Sequence, residues 1–216
     1  KDIVRAQIIN LTTVATAMFG IIFWSTLAWY YGLPTSESHA LIAGLTGAGL
    51  ATAGPESLLW AGWSKVLIGL LFSSFLGFGG GLLLMGILYR ALAHSRPGKV
   101  RRIFGRLQIL SAAFMAFSHG SNDGQKFIGV FTLALLLGGI LPEFRVPIWV
   151  ILLCAVTMGV GTAVGGWRIV RTMGLRLTKL EPVHGFAAET AAAVTIVVAT
   201  RLGIPVSTTQ TINTPI

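Results

Sequence analysis

The chain has 216 residues, of which 54% are hydrophobic and 11% are charged, with a formal net charge of +9. Soluble domains carry nearer a quarter charged residues, so this composition excludes an ordinary soluble protein and indicates an integral membrane protein. The net charge does not favour a nucleic-acid partner, because the basic residues collect between two apolar stretches, as on the cytoplasmic side of a membrane protein. We expect this cluster to set orientation and to contact membrane lipid; it comprises Arg90, Arg96, Lys99, Arg101, Arg102 and Arg106.

Six apolar stretches follow one another along the chain. Most reach the ~20 residues that a membrane-spanning helix needs, but the second is too short to cross. The fourth is long and is interrupted by polar residues. A basic segment over residues 168–179 is expected to be an interfacial helix rather than a span. The stretches are Ile8–Tyr31, Ala40–Ala53, Ser64–Leu92, Leu107–Ile140, Val146–Gly166 and Val183–Leu202.

The polar run Ser118–Lys126 lies inside the fourth stretch. Intramembrane Asp, Asn, His and Lys residues are costly and usually mark a transport pathway, so this run predicts the centre of a transporter. Its two glycines, Gly120 and Gly124, predict a break in the helix, which a membrane tolerates where the backbone is buried in protein or lines a cavity.

Within this run, carboxylate and amide oxygens are candidate ligands of a coupling cation. The central-site candidates are Ser121, Asn122 and Asp123, with Asn122 and Asp123 as the Na⁺ ligands, and Glu189 from the last apolar stretch. Two alternatives stay open: Asp123 paired with Lys126 as a structural contact, and Glu189 as the partner of a buried donor. Supporting or proton-linked candidates are His39, His119, Gln125, Lys126 and Gln210.

An internal repeat is the second strong signal. Gly32–His39 aligns with Gly203–Gln210, 203 − 32 = 171 positions later, and each run follows an apolar stretch. Such paired, Gly/Pro-interrupted segments indicate half-sites of a secondary transporter. Their hydroxyls and free backbone N–H groups suit an anion, although ordinary helix capping is the alternative for either run alone. The anion-site candidates are Ser36, Ser38, Ser207, Thr208 and Thr209.

The same offset predicts how the chain is organised. A first-repeat partner of the polar run would fall before residue 1, and the second repeat stops soon after its hydroxyl-rich run. We therefore expect a fragment of a longer two-repeat protein. Residues 1–92 are assigned to the remainder of the first repeat, 93–106 to a basic cytoplasmic loop, and 107–216 to an incomplete second repeat.

These motifs carry a family resemblance. The stretch Phe117–Lys126 closely resembles the signature of the inorganic phosphate transporter (PiT) family, and the two hydroxyl-rich runs resemble that family's paired hairpin motifs. The resemblance implies an all-α, inverted-repeat membrane transporter with broken helices and re-entrant hairpins. It also implies symport of inorganic phosphate with Na⁺ or H⁺, with phosphate at the hydroxyl-rich runs, the coupling ion at Asn122 and Asp123, and no cofactor.

The sequence departs from the family pattern at two site positions. Gln210 stands where a histidine is common, and Glu37 stands among hydroxyls, where a carboxylate would repel an anion unless it is paired or turned away.

The same residues leave other functions open. A sulfate or other oxyanion transporter uses the same N–H and hydroxyl donors, and a receptor would bind phosphate without moving it. An enzyme built on Asp123 and His119 is disfavoured, because the sequence offers neither a second convergent carboxylate nor an activated nucleophile. We expect a multi-pass protein of a cell membrane, a prokaryotic inner membrane, and leave a homo-oligomer open.

Overall fold

The computed structural model describes residues 3–172, 181–202 and 206–214. Within these ranges the chain is helical and forms no strand; Val4 and Leu58 make one isolated antiparallel bridge. Short 3₁₀ turns cover Ala6–Ile8 and Pro55–Ser57. The α-helices are α1 Leu11–Tyr31, α2 Glu37–Ala53, α3 Trp60–Leu92, α4 Pro97–Leu137, α5 Ile148–Gly165, α6 Trp167–Thr172, α7 Pro182–Arg201 and α8 Thr208–Asn213.

The all-α membrane fold expected from the sequence is confirmed. Among the described helices, α1, α3, α5 and α7 are long and apolar enough to cross a membrane. Helix α2 has 17 residues, three more than the predicted stretch Ala40–Ala53, and it is not among the helices long enough to cross. The expected interfacial helix begins as α6, and its remaining residues lie outside the described ranges.

Helix α4 corrects one prediction. It runs unbroken for 41 residues from Pro97 to Leu137, so the helix break predicted within Ser118–Lys126 is wrong. A glycine inside a helix costs only about 1 kcal/mol relative to alanine, so Gly120 and Gly124 do not by themselves break this 41-residue helix. Proline suits the first position of a helix. The helix accordingly begins within the stretch expected to be a loop, and its length of roughly 60 Å is about twice the membrane's hydrocarbon thickness.

The chain divides into two compact units. The first comprises Lys1–Val66 and Asp123–Thr172, and the second comprises Leu67–Asn122 and Met173–Ile216. The boundary therefore crosses α3 after Val66 and α4 after Asn122. This division does not test the assignment of residues 1–92 and 107–216 to two repeats, which stays a prediction.

Small residues pack the helices closely within the first unit. Ile21 of α1 packs with Ala40 and Leu41 of α2, and Val130 of α4 joins them. A Cβ added at Gly44 would lie 2.9 Å from the backbone oxygen of Ala17, so α1 and α2 approach to backbone contact. This packing fixes the start of α2, which carries the first hydroxyl-rich run.

The second unit has an alanine-rich core. Ala192, Ala193 and Ile196 of α7 pack with Met115 of α4, and Ile212 of α8 packs against them. The small residues of α7 bring neighbouring helices close, as the sequence of this helix predicts. The packing places α8, which carries the second hydroxyl-rich run.

Candidate functional site

The first hydroxyl-rich run forms a tight connection between α1 and α2. Gly32 caps the C-terminus of α1; its φ of 68° lies in the left-handed region, and its N–H bonds back to the carbonyls of Ala28 and Trp29. Ser36 then caps α2: its Oγ accepts a hydrogen bond from the backbone N–H of His39 at 3.4 Å. The connection thus places Ser36 at the cap of α2 and Ser38 and His39 in its first turn.

The second run repeats this local structure 171 positions later. Ser207 caps α8, and its Oγ accepts from the backbone N–H of Gln210 at 3.4 Å. The backbone angles of the two caps are nearly equal, with φ and ψ of −96° and 113° at Ser36 and −83° and 108° at Ser207. The aligned runs therefore fold alike where both are described; Gly203–Pro205 lie outside the described residues.

Three side chains of the first unit form what we term the Asp123 cluster: Ser38, Asp123 and Lys126. The Lys126 ammonium donates to Asp123 Oδ1 at 2.9 Å and also to the Ser38 hydroxyl, which in turn lies 3.4 Å from Asp123 Oδ1. Asp123 and Ser38 are buried, and the Lys126 side chain is 28% exposed. The cluster joins the first hydroxyl-rich run to the polar run of α4.

Two more ionisable groups border the Asp123 cluster. The Glu37 carboxylate accepts the hydroxyl hydrogen of Ser25, whose Oγ lies 2.8 and 3.1 Å from its two oxygens, and it interacts electrostatically with Asp123. His39 interacts electrostatically with Lys126. Glu37, which the sequence marked as repelling an anion unless paired, is therefore turned towards α1 and is bonded there.

A cavity of about 550 Å³ opens beside the first run. Its lining includes Trp24 of α1 and Thr35, Ser36 and His39 of the turn into α2, with small residues completing the wall. All of these residues belong to the first unit. Two of the predicted site residues, Ser36 and His39, therefore line this cavity.

The polar contacts of the second unit involve other hydroxyls. Asn122 Nδ2 donates to Thr200 Oγ1 of α7 at 2.9 Å, while its Oδ1 is buried without a hydrogen-bond partner among the described residues. The backbone N–H of Ser207 donates to Ser73 Oγ of α3 at 2.8 Å. Gln210 Oε1 is likewise buried and lacks a partner within the described ranges.

Thr208 and Thr209 follow the second cap with different exposure. Thr208 is 1% exposed and Thr209 is half-buried. Thr211, one turn after Thr208, is fully buried and donates to the Ser207 carbonyl at 2.9 Å. The hydroxyls that begin α8 are therefore held within the packed part of this unit.

Several predicted site residues are not brought together. Ser121 and Gln125 share an exposed face of α4; each is two positions from Asp123, which places it on another side of the helix. Glu189 is half-buried, accepts from Ser111, and lies eleven residues before Thr200, roughly 16 Å along α7. His119 is half-buried on α4.

Sequence reasoning missed several hydroxyl partners. Ser25 holds Glu37, Ser73 holds the backbone of Ser207, Ser111 bonds Glu189 and Thr200 bonds Asn122. Each is a small hydroxyl inside an otherwise apolar stretch, which is the signal that could have found them. That signal alone does not select them, because such hydroxyls often bond their own helix, as Thr132 does with the Ile128 carbonyl.

A family model and two named relatives match this chain. The model of the PHO4 family, described as "Phosphate transporter family", matches residues 1–216. The chain belongs to the phosphate transporter family. A relative from Rhizobium meliloti (strain 1021), named "Probable low-affinity inorganic phosphate transporter", is 43% identical over 98% of this chain and 64% of its own length. One of the same name from Bacillus subtilis (strain 168) is 37% identical over 100% of this chain and 66% of its own length.

A solved structure confirms the fold of this member of the phosphate transporter family. The chain matches "The sodium-dependent phosphate transporter" with a TM-score of 0.86, covering 99% of this chain and 72% of the other, at 19% identity. The family expected from the sequence motifs is thus confirmed, and with four apolar helices the chain is part of a multi-pass cell-membrane protein. The chain spans less than two thirds of the lengths of the curated relatives named above.

Proposed function

We propose that this chain transports inorganic phosphate across a prokaryotic inner membrane, by alternating access and together with Na⁺ or H⁺. The Asp123 cluster is the main support for this proposal, because Ser38 of the hydroxyl-rich run bonds both Asp123 and Lys126 of the polar run. The relatives' printed names support phosphate as the substrate, and the neighbour's title supports Na⁺ as one coupling ion.

The residues suggest how phosphate would be held. The hydroxyls of Ser36 and Ser38 would donate to phosphate oxygens, and the Lys126 ammonium beside them supplies positive charge. Ser207, Thr208 and Thr209 would offer equivalent hydroxyls from the second run. Binding by hydroxyls and one ammonium involves no covalent step, which suits the reversible binding that transport needs.

Phosphate is favoured over sulfate by the acidic groups near these hydroxyls. At neutral pH phosphate keeps a proton that it can donate to a carboxylate, whereas sulfate has none. Asp123 is buried beside Ser38, where it can accept a hydrogen bond from a protonated oxyanion, and it would repel a fully ionised one more strongly.

Uptake of radiolabelled phosphate into proteoliposomes tests the proposal. The chain is measured beside a version completed with the flanking segments of the Rhizobium meliloti relative, with an imposed Na⁺ or H⁺ gradient and excess sulfate. We expect gradient-driven uptake by the completed protein that sulfate does not suppress. Asp123→Asn should abolish that uptake, whereas the matched change Glu143→Gln, at an exposed carboxylate of the α4–α5 connection, should not.

Two outcomes would contradict the proposal. Phosphate binding without gradient-driven uptake by the completed, folded protein would favour a receptor. Uptake that sulfate suppresses as strongly as unlabelled phosphate does would favour a general oxyanion transporter.

A further inference from the structure

Lys126 stands where a coupling cation would bind. Its ammonium contacts both Asp123 Oδ1 and Ser38 Oγ, which are two of the oxygens that a cation at this point would use. Lys126 lies three residues after Asp123 on α4, so helix geometry itself brings the two side chains together. The pairing is therefore built into the unbroken helix.

The surroundings do not fit a Na⁺ ion at Asp123. A hard cation needs several oxygen ligands, preferably with a carboxylate among them. The carboxylate oxygen and the nearest hydroxyl already receive hydrogen bonds from an ammonium. A second positive charge on the same carboxylate oxygen would face that ammonium across a few ångströms in a partly buried site, where repulsion is poorly screened. These contacts of the ammonium argue against a Na⁺ site at Asp123.

Asp123 is the charged group that holds the Lys126 ammonium, since the two pair directly. Glu37 lies close enough to Asp123 for the two carboxylates to interact, and a charged His39 would repel the ammonium, so the pairing rests on Asp123 and on the Ser38 hydroxyl. Glu37 and His39 come from α2, whereas Asp123 and Lys126 come from α4. The ammonium supplies a positive charge to the Asp123 carboxylate and the Ser38 hydroxyl, as a bound cation would.

We propose that Lys126 is a tethered cation that takes the place of Na⁺ at Asp123 and makes phosphate recognition by this chain independent of Na⁺. The inference rests on the proposed phosphate transport and narrows its coupling ion. It also assigns Lys126 as the residue that determines cation specificity: removing its charge should open the Asp123 carboxylate to Na⁺.

Direct binding of radioactive Na⁺ to the purified, completed protein tests the cation site without any phosphate. We expect the unmodified protein and Asp123→Asn to bind equal amounts of Na⁺. Lys126→Gln should gain a saturable component, which the double variant Lys126→Gln with Asp123→Asn should lose. Lys126→Arg keeps a fixed positive charge and should gain none. A Na⁺ component in the unmodified protein that Asp123→Asn removes would overturn the proposal.

Phosphate uptake in NaCl against choline chloride supplies the second readout. For the unmodified protein we expect similar rates in both salts. For Lys126→Gln we expect uptake in choline to fall by about tenfold or more, from the loss of charged hydrogen bonds, and Na⁺ to restore part of it. Equal rates in both salts for a folded Lys126→Gln would overturn the proposal. Should Lys126→Gln not fold, the unmodified protein, Asp123→Asn and Lys126→Arg still decide it.

The two levels of inference fail differently. If the unmodified protein and Lys126→Gln both take up phosphate but the unmodified protein requires Na⁺ to do so, only the proposal that Lys126 replaces Na⁺ is overturned. Absence of phosphate uptake and binding in every salt would overturn the proposed function, whereas the Na⁺-binding comparison between the Lys126 and Asp123 variants would still report on the cation site.

Discussion

The contact between α3 and α8 provides a sharp test of how the second hydroxyl-rich run is placed. A Cβ added at Gly77 would lie 2.1 Å from Thr214 Oγ1 and 2.8 Å from the backbone oxygen of Thr211. The threonine side chain can rotate away, but the Thr211 carbonyl belongs to the backbone of α8. Gly77→Ala therefore has to push α8 away from α3.

The expected change in the free energy of unfolding for Gly77→Ala combines two opposing effects. Overpacking of this kind costs ~1–3 kcal/mol, and replacing a helix-interior glycine by alanine returns up to about 1 kcal/mol. We expect a net loss of about 1–2 kcal/mol, which lowers Tm by roughly 2–8 °C for a chain of this size. Because α8 begins at Thr208, phosphate binding should weaken along with Tm.

Gly79→Ala is the matched control on the same helix. No heavy atom of the described chain lies within 4 Å of its added Cβ, leaving aside the helix's own nearby backbone. This variant should keep or slightly raise Tm in a thermal-unfolding assay of the detergent-solubilised protein. Equal Tm values for Gly77→Ala and Gly79→Ala would refute the close approach of α8 to α3 and the reasoning built on it.

Three further predictions concern the caps, the α6 contact and the polar run. Ser36→Ala and Ser207→Ala should each lower stability by ~1 kcal/mol; a cap effect confined to one of them in thermal unfolding would contradict their equivalence. Arg168→Lys loses a guanidinium stacked 4.7 Å from the Trp29 ring centroid, so we expect a loss of ~1 kcal/mol and altered tryptophan fluorescence. Gly120→Ala should raise stability by up to ~1 kcal/mol, because α4 is unbroken there; a lower Tm would speak against a continuous helix.

The sequence predicted where the helices lie because apolar runs and helix-ending residues are local signals. Each predicted stretch contains or overlaps a helix, and the ends of α1 and α3 were placed at Tyr31 and Leu92, as observed. The capping serines were also predictable, since a hydroxyl that follows a proline by two positions suits the start of a helix. Local chemistry decides such features, and local chemistry is what a sequence displays.

Partners across the fold were not predictable in the same way. Nothing in the residues near Glu37 indicates that Ser25, twelve positions earlier, bonds its carboxylate. Similarly, the sequence left Glu189 either as a cation ligand or as the partner of a buried donor, and in the structure Ser111 donates to it. These contacts depend on which helix faces meet, and every amphipathic or small-residue face leaves several such pairings open.

In the polar run, a wrong prediction of local structure led to a wrong expectation about which side chains meet. The composition of this run predicted a functional site, which stays a prediction, whereas its glycines predicted a broken helix, and a break would have let Asn122 and Asp123 turn towards one ion. In the unbroken α4, consecutive side chains point about 100° apart, and the two residues have different partners: Asn122 bonds Thr200, and Asp123 bonds Ser38 and Lys126. Continuity of the helix thus gives Asp123 its neighbour three positions on, rather than its neighbour in sequence. The same continuity that removes the predicted break creates the Lys126 pairing.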